Sequence, residues 1–461
     1  MIIERQDLGT VALVKGGSTD MTLLAEVGGS VVRVKAEDIA PYKEDDVSYG
    51  VEKDTAVSSD VCTRVGNMAM HKTLPVHSLM RGCLLDDNGE VKKYLSERDW
   101  TSEDRTGASG QVMVEIPQHW EKFMKNGTKR EVRFSLYPLP GYMMVPKMYV
   151  SAYEATLDRT GNKLCSVANK TAQYRGGNNT ASYDGTDHTL LGVPVSSISL
   201  TNFREYARKR KTGSTEWNCM TYVAQQTLYW LFVVEYATLN TQKTYNAELT
   251  KEGYRQGGLG DGVTTLDGTK WTAFNGQNPF IPCGYTDDLG NRTGIKNYQM
   301  PASYDASKPT VSVPRYRGIE NPFGHIFQWT DGILVEVNPD SGNKLSRCFV
   351  TNDPSKFSSS SFSSYTFMGN LARSEGYIKE VIFDGGCIMP LFTGGGSTSN
   401  HGDYYYCSLP TGATAELRGV RFGGSSSGGA RAGLVCSNAL SGPSSTSAYI
   451  GSRLCFHPKI A

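Results

Sequence analysis

No stretch of this chain stays apolar long enough to cross a bilayer as a helix, and neither sign of charge dominates it, with 47 Lys+Arg against 46 Asp+Glu. The first absence excludes a helical membrane span. The second removes the electrostatic footprint of a nucleic-acid or anionic-membrane binder. Cysteines are present but unpatterned: positions 62, 83, 165, 219, 283, 348, 387, 407, 436 and 455 form no Cys-x-x-Cys pair and no zinc spacing. They read as reduced, mostly buried thiols. None of the seven histidines lies in a His-Glu-x-x-His motif, and no serine nucleophile elbow is recognised. The acidic pairs Asp45/Asp46 and Asp287/Asp288 are neighbours in sequence and diverge from turns, so neither gives a positioned acid and base. No enzymatic activity and no cofactor are expected. The opening MIIERQDLGTVALV places charged residues directly behind two isoleucines and lacks the apolar core of a secretory signal.

Glycine and tyrosine are plentiful, at 50 and 25 residues of 461, which points to a β- and loop-rich protein with aromatic contact surfaces. That length suggests two or three domains. Val11, Leu13, Leu23, Leu24, Val27, Val31, Val32 and Val34 alternate between Gly16-Gly17 and Gly28-Gly29 breaks, predicting a β-rich region over 1–53 for attachment or oligomerisation, with its strands ending near Pro41. A mixed α/β middle domain is expected over 54–143, its clearest strands being GQVMVEIPQHWEKF (110–123) and REVRFSLYPLPGY (130–142). The largest unit runs over 144–461. Gly258, Gly260 and Gly262 lack the strand-to-helix setting of a nucleotide fingerprint and are assigned to a turn.

The most informative segment is LRGVRFGGSSSGGARAGLVCSNALSGPSSTSAYIGSRLCF, from Leu417 to Phe456. Val420, Phe422, Leu434, Ile450, Leu454 and Phe456 make an apolar frame. Between them stand Ser427, Gly428, Arg431, Cys436, Ser437, Asn438, Leu440, Ser441, Ser445, Ser447 and Tyr449 in an irregular, loop-like order. A flexible linker has no reason to end in IGSRLCF or to space an Arg and a Tyr along its length. Upstream, Tyr404, Tyr405 and Tyr406 offer rigid amphipathic area beside adaptable Ser, Asn and Gly, the division of labour seen in antibody paratopes.

Several blocks, in order, carry a resemblance to a known fold. KMYVSAYEAT (147–156), PVSSISLTNFREYARKR (194–210), TYVAQQTLYWLFVVEYAT (221–238), CGYTDDLGNRTG (283–294) and NPFGHIFQWTDGI (321–333) resemble the formylglycine-generating-enzyme-like branch of the C-type lectin fold. In the second block Thr201 or Asn202 is the expected N-cap. In the third, Glu235-Tyr236-Ala237 matches the usual helix end. In the last, Gly324, Phe327, Trp329 and Asp331 match the core strand. The fold class implied is α+β: a C-type lectin-fold C-terminal domain preceded by small β-rich domains. The family's oxidase needs a pair of C-terminal cysteines that bind copper, whereas GGSSSGGARAGLVC supplies Cys436 alone. The resemblance therefore does not extend to that chemistry.

The frame GGxxxxGAxAGxxxxxxxxxPSxxxxxIGxRLCF, from Gly423 to Phe456, resembles variable proteins diversified by retroelements. Their adenine-directed mutation reaches the Ser, Gly, Arg, Leu, Cys and Tyr found here. Leu79-Met80-Arg81, Cys83, Asp86-Asp87-Gly89 and Gly110-Gln111-Val112 resemble a middle domain of phage and prophage tail proteins of gut bacteria. Together these resemblances imply a receptor-binding tail protein. Its variable segment would span about 403–456 and contact a bacterial surface protein or glycan. Other tail proteins are its expected partners, a homotrimer its expected assembly, and the virion its expected location. A cell-surface adhesin and a glycan-degrading tail enzyme are the alternatives. Whether a metal binds is left open, with calcium conceivable in the oxygen-rich loops near Asp287 or Asp331.

Overall fold

A computed structural model describes residues 8–12, 22–27, 30–35, 43–184, 189–265, 279–300, 310–339, 345–396, 400–412 and 414–459. Leu13, the Gly16-Gly17 and Gly28-Gly29 breaks and Pro41 lie outside the described residues. The chain divides into two compact units, 1–47 and 48–461.

In the first unit Leu8–Ala12, Thr22–Val27 and Ser30–Lys35 form a three-stranded antiparallel sheet. The expected strand alternation therefore does become strand.

The second unit is mostly β-sheet. Among the described residues only two α-helices exceed a single turn, Leu200–Arg208 and Tyr222–Tyr236. The expected division at 143/144 is not a division of the structure. The C-terminal strand Leu454–Phe456 lies between Trp217–Cys219 and Met148–Ser151, and the same sheet continues through Gln111–Ile116, Arg81–Leu85 and Val91–Tyr94. Side chains close the same seam. Asp87 accepts hydrogen bonds from Arg210 (2.6 and 2.9 Å), and a Cβ on Gly89 would fall 2.0 Å from the Phe456 ring.

The expected strand 110–123 is likewise two strands in two sheets. Gln111–Ile116 belongs to the six-stranded sheet, whereas His119–Asn126 pairs with Met143–Val145 and Lys129–Ser135 in a five-stranded one. The break falls at Pro117, which has no N–H to give to a ladder.

The helix Tyr222–Tyr236 is buried on nearly every side, as its unbroken YWLFVV run requires. Thr221 caps its N-terminus by accepting from the Ala224 N–H, and Ala237, at φ 52°, closes its C-terminus. Three of its polar side chains tie it to the surrounding structure. Gln225 donates to Leu434 O (2.6 Å), Trp230 Nε1 to Gly386 O (2.7 Å), and Glu235 accepts from Arg317 at 2.7 Å through both oxygens. The shorter helix begins two or three residues earlier than expected: Ser199, not Thr201 or Asn202, is its N-cap, its hydroxyl accepting from Asn202 N at 3.2 Å.

Around the central helix runs the largest sheet, in the order Thr366–Asn370, Arg347–Val350, Phe327–Val337, Glu416–Gly423, Gly433–Asn438, Tyr404–Tyr406, Gly376–Val381 and Pro390–Gly394, with Ile450–Gly451 pairing parallel to Phe327–Val337. Trp329 and Phe327 are core residues of this sheet. No helix among the described residues is long and apolar enough to cross a membrane.

Candidate binding face

The strand Glu416–Gly423 sets the geometry of the tail. Alternation sends Val420 and Phe422, both fully buried, toward the central helix, where Phe422 packs on Tyr222 with ring centroids 6.0 Å apart. The opposite face carries Gly419 and Arg421 over Trp329. Glycine is needed at 419 because a Cβ there would lie 2.7 Å from the Trp329 ring. All six frame residues, Val420, Phe422, Leu434, Ile450, Leu454 and Phe456, are buried. The IGSRLCF ending also has a structural role. Arg453 is buried and donates to the carbonyls of Ser151, Glu320 and Asn321 and to Gln328 Oε1.

Two loops leave this frame. The first, Ser426–Arg431, is a 3₁₀ turn. Ser427 and Arg431 are exposed in it and Gly428 is half-exposed. It is pinned by Ser426 N donating to His325 O (3.2 Å) and by Gln242 donating to Ala432 O. Where it returns to the sheet, Gly433 has φ 147°, and a Cβ there would meet the Asp403 carboxylate at 2.1 Å. That carboxylate accepts from Val435 N (2.8 Å) and Cys436 N (3.1 Å), and burial raises its pKa well above the usual carboxylate range.

The second loop joins Asn438 to Ile450. Leu440 is 37% exposed, and Ser441, Ser445, Ser447 and Tyr449 are half-buried. It too is held by backbone. Pro443 O accepts from Leu200 N (3.0 Å), Ser447 O from Ser197 N (3.0 Å), and Tyr449 O from Phe327 N (2.9 Å). None of these three anchors uses a side chain.

Side chains from separate segments meet between the loops. Arg431 lies over the rings of Tyr404 (4.7 Å) and Tyr406 (6.0 Å). Tyr406 and Tyr449 each meet Phe327 edge-on, with centroids 5.9 and 6.2 Å apart. Burial raises the Tyr406 phenol, with Arg431 opposing that shift. Arg421 lies beneath, 5.8 Å from the Phe327 ring, and donates to Asn438 Oδ1 (2.6 Å) and Ser441 Oγ (3.4 Å).

Five expected contact residues are not displayed. Tyr405 points to the other face of its strand and is 1% exposed. Cys436 and Ser437 are fully buried and Asn438 is 5% exposed, because Gly433–Asn438 is an interior strand flanked by Glu416–Gly423 and Tyr404–Tyr406, not a loop. Burial pushes the Cys436 thiol up, the reverse of what thiolate chemistry needs. Tyr404 is 9% exposed, covered in part by Arg431 and Tyr377. Ser427, Gly428, Ser445 and Ser447 lie in the loops.

Sequence reasoning overlooked Arg421, Tyr377 and Glu375. Tyr377 packs edge-on against Tyr404 (5.2 Å), and Glu375 accepts from its hydroxyl (3.2 Å). Position 421 was legible: it is the charged residue between two frame positions. Tyr377 lies in, and Glu375 just before, the strand Gly376–Val381, distant in sequence, and they left no local signal.

A serine motif was overlooked as well, since Gly424-Ser425-Ser426-Ser427-Gly428 has Gly-x-Ser-x-Gly spacing. Ser426 is fully buried. His325, whose backbone holds this loop, uses its Nε2 to accept from Phe280 N (3.1 Å) and Ile281 N (3.3 Å), so that nitrogen is not a free base.

The carboxylates considered for calcium are held by arginine. Asp287 meets Arg105 (2.6 Å), Arg315 (3.1 Å) and the Tyr153 hydroxyl (2.7 Å), and Asp331 takes Arg204 through both oxygens. No group of three His, Cys, Asp or Glu among the described residues is placed to hold a metal. All ten cysteines are free and buried.

No family model matches the sequence, and no curated protein matches it. Among solved structures the chain is similar to the Major Tropism Determinant U1 variant, at 11% identity and TM-score 0.24 over 98% of this chain and 84% of that one. It is similar to the P3c variant at 11% identity and TM-score 0.23, over 97% and 83% of the respective chains. Similarity at this level is too low to transfer a fold or a function.

Proposed function

We propose that this chain is a variable ligand-binding protein with a C-type lectin fold, of the kind diversified by retroelements. In this reading it sits on a phage tail and attaches to the surface of a host bacterium. The loops of 404–449 form the binding face. The observation that carries the reading is the backbone anchoring of both loops: Pro443 O, Ser447 O and Tyr449 O in one, and Ser426 N and Ala432 O in the other. Side chains at Ser427, Arg431, Leu440, Ser441, Ser445, Ser447 and Tyr449 can therefore change while the loop path is kept. A frame of buried residues with substitutable loops is what a diversified binding site requires. Weak single contacts become firm attachment when several copies engage together.

The DNA flanking the gene tests this. A near-copy of the codons for 403–456, differing where the copy carries adenine and lying beside a reverse-transcriptase gene, is the expected finding. Absence of any such repeat from the genome would leave the loops as ordinary surface and remove the diversification.

A further inference from the structure

The buried arginines of the described residues are Arg204, Arg315, Arg418, Arg421 and Arg453. Three of them face carboxylates: Arg204 meets Asp331, Arg315 meets Asp287 and Arg418 meets Glu416. Arg453 spends its donors on three backbone carbonyls and a glutamine. Arg421 has neither arrangement. It is 3% exposed, its hydrogen bonds go to Asn438 Oδ1 and Ser441 Oγ, and its buried Nε has no partner. Rings at 5.0 Å (Trp329) and 5.8 Å (Phe327) offset part of the desolvation cost but supply no counter-charge. Burial pushes its pKa down only to about 10, so it stays cationic at neutral pH. A buried cation with a free donor and no anion is costly unless something completes it.

This site lies within the proposed binding face. Ser441 belongs to the second loop of that face, Asn438 lies buried beneath it, and Tyr449 and Tyr406 flank Phe327, the ring beside the guanidinium.

We propose that Arg421 is the anchor for a carboxylate of the bound ligand, and that the ligand is an acidic polysaccharide whose carboxylate is attached directly to a sugar ring. The inference rests on the binding-face reading and names its ligand class. A uronic acid places its carboxylate one bond from a rigid ring with apolar C–H faces. Arg421 is 3% exposed, so binding requires the half-buried Tyr406, Ser441 and Tyr449 side chains around it to part, letting the carboxylate reach the guanidinium while the ring lies against a tyrosine. The hydroxyls of Ser441, Ser445 and Ser447 suit the remaining sugar hydroxyls. An aspartate or glutamate of a peptide would bring backbone amides against the same buried group, where they would need partners of their own.

The test uses the full chain over immobilised polygalacturonate, dextran and poly-glutamate at low and high salt. Polygalacturonate should retain the chain at least about tenfold better than dextran. Arg421→Met should remove about tenfold of that retention and Arg421→Lys less, as expected for loss of a charge-assisted hydrogen bond. If Arg421→Met fails to fold, free glucuronate displacing the unaltered chain from polygalacturonate, where glucose does not, supports the site. Equal retention on dextran, or an unchanged folded Arg421→Met protein, overturns it. So does tighter retention on poly-glutamate, which would assign the site to an acidic protein. Attachment to bacterial cells is measured in parallel with Tyr406→Ala. Cell attachment that depends on Tyr406 but not on Arg421 or glucuronate overturns the ligand class and leaves the binding face standing. Retention on polygalacturonate without cell attachment supports the carboxylate site and contradicts the receptor-binding reading.

Discussion

The tail contains two interleaved sets of residues that differ little in sequence position and greatly in surroundings. Phe422, Leu434 and Leu454 are at most 1% exposed and pack into the core around the central helix and the C-terminal sheet. Ser427, Arg431 and Leu440, a few residues away, are exposed on loops whose paths are fixed by backbone hydrogen bonds. Stability is therefore concentrated in one set, and the proposed contact chemistry belongs to the other. The boundary between them does not follow residue type: Ser437 and Cys436, which resemble display residues by composition, belong to the buried set.

This contrast can be broken most sharply at the frame. Phe422→Ala should cost about 3–5 kcal/mol by losing burial and leaving a cavity against Tyr222, measured by denaturant unfolding. Glu235→Gln should cost a comparable amount, about 3–5 kcal/mol, because Arg317 and the Tyr316 hydroxyl lose their buried charged partner. Cys436→Tyr sharpens the boundary. If position 436 is interior, overpacking should cost about 1–3 kcal/mol, whereas a displayed position would tolerate it within about 0.5 kcal/mol.

A smaller effect comes from pH. Burial pushes His77 and His401 down to about 3 and His71 and His457 down to about 4, so all four are neutral in the fold. The unfolded chain protonates them near pH 6.5, so their contribution is present above that value and is lost as pH falls toward 4. Glu320, raised to about 7 by burial and by Asp287, and the raised Asp403 act in the opposite sense. Four imidazoles outweigh two carboxyls below about pH 6. The melting temperature should fall between pH 6 and pH 5, and a rise would contradict the assignment. The smallest expected change is at the loops, where Ser427→Ala and Ser445→Ala should each alter stability by less than about 0.5 kcal/mol.

The sequence made some of this legible and hid the rest for physical reasons. Frame residues could be read because apolar side chains in a Ser/Gly-rich segment have few other uses. The central helix could be read from its continuous apolar run and its Thr221 start. The N-cap at Ser199 was missed because Thr201 and Asn202 are equally competent in composition, and the start is set by Leu200 N bonding to Pro443 O across the fold. The domain division at 143/144 failed because strands far apart in sequence, 111–116, 148–151 and 454–456, share one sheet. The burial of Tyr405, Cys436 and Ser437 was missed for the same reason: parallel pairing of Tyr405 with Ser437 places both inside the largest sheet, and no local pattern announces a partner 32 residues away.

The most direct test of the two-set account is one protein carrying simultaneous replacements at Ser427, Arg431, Leu440, Ser441, Ser445, Ser447 and Tyr449, compared with the unaltered chain for melting temperature and attachment to host bacteria. The account predicts a melting temperature within about 4 °C of the original together with lost or redirected attachment. Unfolding of that protein, or attachment unchanged by all seven replacements, would contradict it.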